Sequence, residues 1–463
     1  PKANIWIIPS VESPQVYRNY AQTSKVHLEM ARGEVEHIQL VFPSKVNEEY
    51  RFTFDRYLKG IQISARELKK MNGYYDALVP FKNQLKCTDT LTAVWITVQC
   101  PSRVPVGKYH QTIKIEGSKH FTIQLDYNVH HTTIPLKSSI PITVGVENRC
   151  MTEGLNDKEA DKERQRWVDF VLSYRMTPVF GTQITPERWQ YEHSFSPWAW
   201  NDKRSIRLLN DRRYSCYMLP FFTLSENELA SLLCNIQKKG KLKESLFYIW
   251  DEPAYMEDYE QIKRKVNIIR KYASDARILT TFFCGPRNGP RKGDLYAVFD
   301  YLKHHIHVAT ISLAPCKGNE EEVQHIRYKV PEGIDWWSYV CWQPGGNEPN
   351  FLLQMKGIQQ RAVMWRTWKN GSQGFLYWNC NIYHKRNPFT YITDMPHGDG
   401  ILIYPGDILG CKGPIASARL ERWRDGAEEM ELLRLVEKNY SKEKADTLLN
   451  IVYSSPLSFI EKA

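Results

Sequence analysis

Between residues 142 and 378 the chain alternates short apolar runs with longer stretches that repeat apolar residues every three or four positions. The short runs predict buried β-strands and the longer stretches predict amphipathic helices. Strands are predicted at 142–146, 177–181, 214–221, 246–250, 277–283, 308–313, 336–341 and 374–378. Helices are predicted at 158–174, 226–239, 257–273 and 351–369, with weakly marked helices on either side of the sixth strand. This repeat predicts an α/β fold, a (β/α)8 TIM-type barrel.

The first 137 residues show a different pattern, with short alternating runs and no sustained helical period. Ile113 and Ile115 would face one side of a strand, and Thr112 and Lys114 the other. Similar runs at 4–8, 35–42, 93–98, 110–115 and 121–129 are separated by Pro, Gly, Asn and charged turns. We therefore predict an N-terminal β-sandwich domain. The predicted domains are the sandwich over 1–137, the barrel over 138–426, and helices packed on the barrel over 427–463, at 427–438 and near 442–452.

Composition adds one positive indication about the site. Aromatic residues make up 13% of the 463 residues, including 14 Trp and 26 Tyr, which is more than a core of this size needs. Such a surplus indicates a site that stacks on sugars, nucleobases or other planar or apolar faces. The net charge of +10 is spread along the chain without a long Lys/Arg run, so no nucleic-acid partner is predicted. The charge does not indicate an acidic polysaccharide partner either.

The spacing of the cysteines and the hydropathy pattern bear on metal binding and on membrane insertion. Ten cysteines are scattered singly, with neither a C-x-x-C pair nor zinc-like His spacing. We therefore predict neither a metal nor a cofactor. No apolar run has transmembrane length, so no membrane span is predicted.

Two adjacent carboxylates, Asp251 and Glu252, follow the fourth predicted barrel strand directly and precede Pro253. The carboxyl ends of barrel strands are where this fold carries its catalytic residues. The alternative is structural, because acidic residues before a proline commonly begin a helix by capping its free N–H groups. This stretch alone favours the structural alternative, and the other strand ends shift the balance.

In the predicted barrel, the ends of several strands converge on one mouth. Besides the acid pair they bring Glu147, Asn148, Arg149, Tyr339, Trp342, Trp378, Asn379 and Asn381. Each residue at the strand ends has a structural alternative. Asn379 could cap a turn, and the nearby Trp336 and Trp337 would suit a core. Rings, amides and two carboxylates at one mouth indicate a sugar site, because rings stack on pyranose faces and the polar groups bind hydroxyls. A carboxyl pair there supplies an acid and a nucleophile or stabiliser.

Several blocks, in this order, resemble glycoside hydrolase family 123, the β-N-acetylgalactosaminidases. They comprise 31–41, 174–175, Trp-Asp-Glu-Pro at 250–253, 336–339 with 349–350, Gly-Phe-Leu-Tyr-Trp-Asn at 374–379, Gly-Asp-Gly-Ile-Leu-Ile-Tyr-Pro-Gly at 398–406, and 419–426. The resemblance implies a retaining, exo-acting enzyme that releases β-linked N-acetylgalactosamine (GalNAc) from glycans by a substrate-assisted route. Asp251 would orient the sugar's 2-acetamido group and Glu252 would act as acid and base. It also implies a secreted, periplasmic or cell-surface location.

The candidate substrate-binding residues are Asn148, Arg175, Trp337, Tyr339, Trp342, Trp365, Trp368, Tyr377, Trp378, Asn379 and Asp399. Trp365 and Trp368 lie on the helix before strand eight, so burial between helix and barrel is an equal alternative for them. An ion network of Arg419, Glu421, Arg424 and Asp425 is expected to tie the last helix to the barrel.

Leu352-Leu-Gln354 replaces a stretch in which the family usually carries an aspartate. This departure leaves the leaving-group sugar open, together with exo versus endo action. Other β-hexosaminidase specificities and a non-catalytic carbohydrate-binding protein remain alternatives, and no oligomeric state is predicted.

Overall fold

The N-terminal part of the chain forms two five-stranded sheets. The computed structural model describes residues 4–55, 60–185, 190–384, 386–389 and 397–460. The strands of the two sheets are β1 (Trp6–Pro9), β2 (Lys25–Arg32), β3 (Val35–Pro43), β4 (Glu49–Phe54), β5 (Gln62–Met71), β6 (Tyr74–Pro80), β7 (Gln84–Lys86), β8 (Leu91–Gln99), β9 (Gly107–Glu116) and β10 (His120–Thr133). Their orders are β1-β3-β8-β5-β6 and β2-β10-β9-β4-β7, and β10 pairs parallel with β2.

The two N-terminal sheets share one apolar cluster. Leu40 and Ile96 from the first sheet and Ile113 and Ile123 from the second are buried in it. The alternation predicted for β9 is present, since Ile113 and Ile115 are buried while Lys114 is exposed. All five strands predicted from the alternating runs are confirmed.

The remainder of the chain is organised around a nine-stranded, nearly closed sheet. Its strands are β11 (Ile142–Glu147), β12 (Thr177–Thr185), β13 (Gln190–Ser194), β14 (Tyr217–Met218), β15 (Ser245–Trp250), β16 (Ile278–Phe282), β17 (Val308–Ser312), β18 (Asp335–Val340) and β19 (Phe375–Tyr377). The order is β13-β12-β11-β19-β18-β17-β16-β15-β14, and the Phe195 N–H donates to the Met218 carbonyl at 2.6 Å near the two edge strands. The eight predicted strands are all present. The additional β13 pairs antiparallel with β12 and lacks the apolar run that would have predicted it.

Helices occupy the connections between these strands. They are α1 (Asn148–Thr152), α2 (Asp157–Ser173), α3 (Lys203–Leu208), α4 (Glu226–Lys238), α5 (Met256–Tyr272), α6 (Ala297–Leu302), α7 (Glu320–Lys329) and α8 (Gly357–Lys369). The two weakly marked helices are α6 and α7, and α6 has only six residues. Leu246, Leu279, Val308 and Trp337, from four neighbouring strands, share a separate buried cluster, which fills the interior of the sheet.

The C-terminal part consists of β20 (Ile403–Pro405), β21 (Pro414–Ala416), α9 (Ala418–Asn439), α10 (Lys442–Val452), β22 (Tyr453–Ser455) and β23 (Ser458–Phe459). The start predicted for α9, residue 427, is wrong, because the helix begins at Ala418 and passes through the proposed 426/427 boundary. Its first half is buried on all sides, so no amphipathic period marks it. The three-part domain division stays a prediction. Among the described helices, none is both long enough and apolar enough to cross a bilayer.

The predicted ion network on α9 is present, but its partners lie mainly on the N-terminal sheets. Arg419 pairs with Asp76 at 2.9 Å, and Glu421 pairs with Arg66 at 2.7 Å. Asp76 lies on β6 and Arg66 on β5. This helix therefore joins the N-terminal sheets to the rest of the fold by buried ion pairs as well as by apolar packing.

Candidate active site

A pocket of about 530 Å³ lies where the central strands end, and both Asp251 and Glu252 line it. The acid pair does not begin the next helix. Helix α5 starts at Met256, and the Asp258 side chain accepts hydrogen bonds from the N–H groups of Ala254 and Tyr255 at 2.8 and 2.9 Å. The structural alternative for the pair is therefore wrong, because Asp258 performs the capping role.

Asp251 is held by two hydroxyl groups. Its Oδ1 accepts hydrogen bonds from Tyr248 at 2.7 Å and from Thr281 at 2.8 Å. Burial raises the pKa of Asp251, and these two hydrogen bonds oppose the rise. Within the described ranges no group donates to Oδ2, so this oxygen can receive a hydrogen bond from a ligand.

The backbone leaves the extended conformation of the strand at Glu252. Its φ of +45° is in the left-handed region, which costs a non-glycine residue about 1–3 kcal/mol. Its N–H donates to Thr281 Oγ1 at 2.9 Å, which helps to hold the turn. Successive side chains of an extended strand point to opposite faces, and this turn allows two adjacent acids to line one pocket.

Glu252 has a raised pKa, to which its acidic neighbour contributes. Burial raises the pKa of Glu252 to about 7, and the negative charge of Asp251 adds to the rise. The Tyr339 hydroxyl, which donates to Oε1, and the positive charge of Arg287 act in the opposite direction. Two neighbouring carboxyl groups thus have environments suited to different protonation states.

Trp378 and Asp399 form another wall of the pocket. Asp399 Oδ1 accepts hydrogen bonds from Trp378 Nε1 at 3.0 Å and from the Tyr377 hydroxyl at 3.2 Å. Burial raises the pKa of Asp399 to about 6, and buried Oδ2 has no hydrogen-bond partner among the described residues. Gly400 has φ +71°, and a Cβ there would lie 2.5 Å from the Trp378 ring, so glycine permits this loop to approach the indole.

A second, smaller cavity of about 50 Å³ lies against Asp251, and His193 and Asn379 line it. The His193 ring stacks on Tyr248 with centroids 4.2 Å apart, and burial lowers the pKa of His193 to about 4. His193 is therefore neutral at pH 7, and its buried Nδ1 has no partner within the described part of the chain. Asn379 Oδ1 accepts from the Asn381 N–H at 2.9 Å, so Asn379 both stabilises a turn and lines the cavity.

The rim of the main pocket carries the exposed rings of Trp342 and Tyr255, which are 41% and 48% exposed. Trp342 stacks with Phe283, with ring centroids 6.5 Å apart and planes inclined by 25°. Among the predicted substrate-binding residues, Tyr339, Trp342, Trp378 and Asp399 line this pocket together with the acid pair.

Three predicted tryptophans lie away from the pocket. Trp337 is 1% exposed inside the sheet, and a Cβ on Gly374 would lie 2.2 Å from its ring. Trp365 Nε1 donates to Glu429 at 2.6 Å, and Trp368 Nε1 donates to Asp446 at 3.3 Å. These contacts correct the assignment of the three rings to the substrate site. Trp365 and Trp368 are buried, as the alternative predicted, but their indole N–H groups donate to α9 and α10 rather than to the barrel.

Arg175, Asn148 and Tyr377 also need correction. Arg175 Nε donates to Glu428 at 3.1 Å, and its guanidinium donates to the Gly33 carbonyl at 2.6 Å, so it joins the N-terminal sheets to α9. Asn148 Nδ2 donates to Thr182 at 3.1 Å, and Asn148 is not among the residues that line either pocket. Tyr377 is fully buried and lines only the small cavity, and its hydroxyl donates to Asp399, which lines the main pocket.

Sequence reasoning missed Tyr248, Thr281, His193 and Arg287. Tyr248 and Thr281 lie near the carboxyl ends of predicted strands, where a hydroxyl group could have been recognised as a partner for Asp251. His193 lies on β13, which carries no apolar run. Within the described ranges, no group of three or more His, Cys, Asp or Glu side chains is arranged to hold a metal ion.

A mostly parallel sheet and a pocket that combines an indole with two carboxyl groups in different environments are typical of a glycoside hydrolase. The family model of the glycoside hydrolase 123 catalytic domain matches residues 162–436. The chain therefore belongs to glycoside hydrolase family 123, as the sequence blocks indicated.

The fold is similar to that of a family 123 glycoside hydrolase from Clostridium perfringens, whose structure was used to study glycolipid glycan hydrolysis. The TM-score is 0.67 at 14% identity, over 96% of this chain and 91% of that chain. A family 2 β-galacturonidase from Eisenbergiella tayi gives a TM-score of 0.36 at 8% identity, over 86% and 89% of the two chains. No curated protein matches the sequence.

Proposed function

We propose that the protein is a retaining, exo-acting β-N-acetylgalactosaminidase that cleaves β-linked GalNAc from glycans by a substrate-assisted mechanism. The supporting observation is the contrast between the two adjacent acids in the pocket. Asp251 accepts two hydroxyl hydrogen bonds, whereas burial and Asp251 raise the pKa of Glu252 to about 7. A carboxylate that orients an amide and a carboxylic acid that donates a proton are the two groups this chemistry needs.

In the first step, the carbonyl oxygen of the substrate's 2-acetamido group attacks the anomeric carbon. The bond from that carbon to the leaving-group oxygen breaks, and this oxygen takes the proton of Glu252. Asp251 Oδ2 accepts the acetamido N–H, which orients the group and stabilises the positive charge of the oxazolinium ring. The substrate provides the nucleophile itself, which is a recognised exception to the scheme with two protein carboxylates.

In the second step, water attacks the anomeric carbon from the side that the leaving group has vacated. Glu252, now ionised, removes a proton from the water, and the bond to the acetamido oxygen breaks. Two inversions at one carbon give retention of the anomeric configuration. The Tyr339 hydroxyl stabilises the ionised form of Glu252 between the two steps.

The choice of GalNAc rests on the family, and the wall formed by Trp378 and Asp399 provides groups that would hold the sugar ring. Asp399 Oδ2 is a buried acceptor without a partner among the described residues, beside the indole of Trp378. It would bind a sugar hydroxyl while the indole packs on the apolar face of the ring. We also propose that the nearly closed sheet is the predicted (β/α)8 barrel, with the N-terminal sheets as its β-sandwich. The glycolipid glycans studied with the Clostridium enzyme suggest a class of substrate to test.

The test compares aryl β-GalNAc and aryl β-GlcNAc hydrolysis by the wild type, Asp251→Asn, Glu252→Gln and Glu257→Gln. Glu257 is an exposed carboxylate on α5 outside the pocket, so its variant controls for loss of an acid in this region. We expect wild-type and Glu257→Gln activity on β-GalNAc, with retention by proton NMR of the first product. Loss of activity is expected in Asp251→Asn, and in Glu252→Gln on substrates with poor leaving groups.

The other hypotheses predict different results in the same assay. Preference for β-GlcNAc, or cleavage only within galactosamine-containing chains, would replace the proposed specificity by another β-hexosaminidase. Binding of GalNAc without release of product would indicate a carbohydrate-binding protein. Equal activity of all four proteins would contradict the roles given to the acid pair.

A further inference from the structure

Arg287 lies at the main pocket close to Glu252. Its backbone N–H donates to the carbonyl of Ala254 at 2.6 Å, which fastens the loop after β16 to the chain just beyond the acid pair. The Arg287 side chain lines the pocket, and its positive charge opposes the rise in the pKa of Glu252. This arginine is therefore within electrostatic reach of the proposed proton donor.

No carboxylate of the described residues forms an ion pair with Arg287. The neighbouring Arg291, in the same loop, pairs with Asp294 at 2.6 Å and also with Asp300. The Arg287 side chain is exposed at the edge of the pocket, and hydrogen bonding with Cys284 and Tyr255 raises the pKa of Arg287. In the proposed mechanism Glu252 is protonated when the reaction begins, so in that state it would not neutralise the Arg287 charge either.

Arg287 lines the main pocket together with Glu252 but does not line the smaller cavity against Asp251, which favours the leaving-group side of the pocket for its side chain. A proton donor must face the departing oxygen, so the leaving group lies beyond Glu252 as seen from Asp251. Arg287 and Tyr255 belong to the segments that follow β16 and β15, and Trp342 follows β18. Asp399 and Trp378, which would hold the GalNAc ring, come from the chain after β19.

On the basis of the proposed function, we propose that Arg287 forms an anion-binding subsite for the leaving-group sugar. This sugar would carry a carboxylate or a sulfate ester within reach of the guanidinium, and its ring would pack against Trp342. A guanidinium matches both anions because its N–H groups can bond two oxygens at once. Without a nearby positive charge, an anion next to Glu252 would make Glu252 lose its proton less readily. The charge of Arg287 would offset that effect.

The experiment uses two disaccharides that differ in one group: methyl 4-O-β-GalNAc-glucuronide and methyl 4-O-β-GalNAc-glucoside. The readout is the ratio of their kcat/KM values, in which any general effect of a substitution on Glu252 cancels. The wild type should favour the glucuronide by about tenfold, the value of one charge-assisted hydrogen bond at the low end of its range. The ratio should fall to about 1 in Arg287→Gln and be partly retained in Arg287→Lys.

Lys292→Gln is the matched control, because it removes a positive charge from the same loop at an exposed residue outside the pocket. Its ratio should equal that of the wild type. The subsite is overturned if the wild type cleaves neither the glucuronide nor a sulfated version of the neutral disaccharide faster than the neutral one, if the ratio is unchanged in Arg287→Gln, or if it falls equally in Lys292→Gln. A sulfated version of the neutral disaccharide distinguishes the two kinds of anion, and faster cleavage of either one supports the proposal. Failure of the proposed function differs from all of these outcomes, because aryl β-GalNAc would then not be hydrolysed.

Discussion

The Thr281→Val substitution removes a hydroxyl group that forms hydrogen bonds with both proposed catalytic acids. The Thr281 hydroxyl donates to Asp251 Oδ1 at 2.8 Å and accepts from the Glu252 N–H at 2.9 Å. Valine has nearly the same shape but can make neither hydrogen bond. Asp251 would keep only the Tyr248 hydroxyl, and the N–H at the left-handed turn would lose its acceptor.

The expected magnitudes follow from these two bonds. A hydrogen bond to a charged group contributes about 1.5–3 kcal/mol, so kcat on aryl β-GalNAc should fall about 10- to 100-fold. An unsatisfied buried N–H costs about 1–3 kcal/mol, so the free energy of unfolding should fall by a similar amount. Because the lost bond favoured the ionised form of Asp251, the acidic limb of the pH–kcat profile should move to higher pH.

Thr280→Val is the matched control on the same strand. Thr280 is also fully buried, but its hydroxyl has no hydrogen-bond partner among the described residues. Its replacement should leave kcat unchanged and stability equal or slightly higher. Full activity in Thr281→Val, or an equal loss in both variants, would refute the role given to the Thr281 hydroxyl.

Three further predictions concern the protonation, the binding and the stability of the protein. Glu252 must be protonated to act as the acid and burial raises its pKa to about 7, so kcat should decline as pH rises above 7. Glu252→Gln should remove that decline in a pH–rate profile measured with an activated aryl substrate, and a decline that persists would assign it to another group. Asp399→Asn replaces the unpartnered acceptor by a donor and should lower kcat/KM on aryl β-GalNAc about 10- to 100-fold. An unchanged kcat/KM would remove Asp399 from the substrate site. Arg175→Met leaves the buried Glu428 carboxylate without its ion-pair partner and should cost about 3–5 kcal/mol of stability. A lowered Tm with unchanged KM is expected, and a raised KM with unchanged Tm would instead support the substrate role predicted from sequence.

The strands of the large sheet could be predicted because each is short and buried on both faces, as Leu246 to Trp250 show. The first half of α9 could not, since Arg419, Glu421 and Arg424 are charged residues that are buried there in ion pairs. A helix buried on all sides has no polar face, so its periodicity disappears from the sequence.

The acid pair could be predicted from its place after a buried strand. The alternative, that the two acids begin a helix, could be excluded only from the structure. The deciding observation is that Asp258 accepts the N–H groups of Ala254 and Tyr255. Trp365 and Trp368 are residues that the sequence placed in the site and the structure does not. Composition indicates a surplus of rings, but tertiary contacts with Glu429 and Asp446 determine which of them face a ligand.

The most direct test of the account is a crystal structure of the protein with GalNAc-thiazoline, a mimic of the oxazolinium intermediate. We expect the thiazoline nitrogen about 2.6–3.2 Å from Asp251 Oδ2, with Glu252 on the side from which a leaving group departs. An inhibitor bound with its nitrogen turned away from Asp251, or bound outside the pocket that holds the two acids, would contradict the substrate-assisted mechanism.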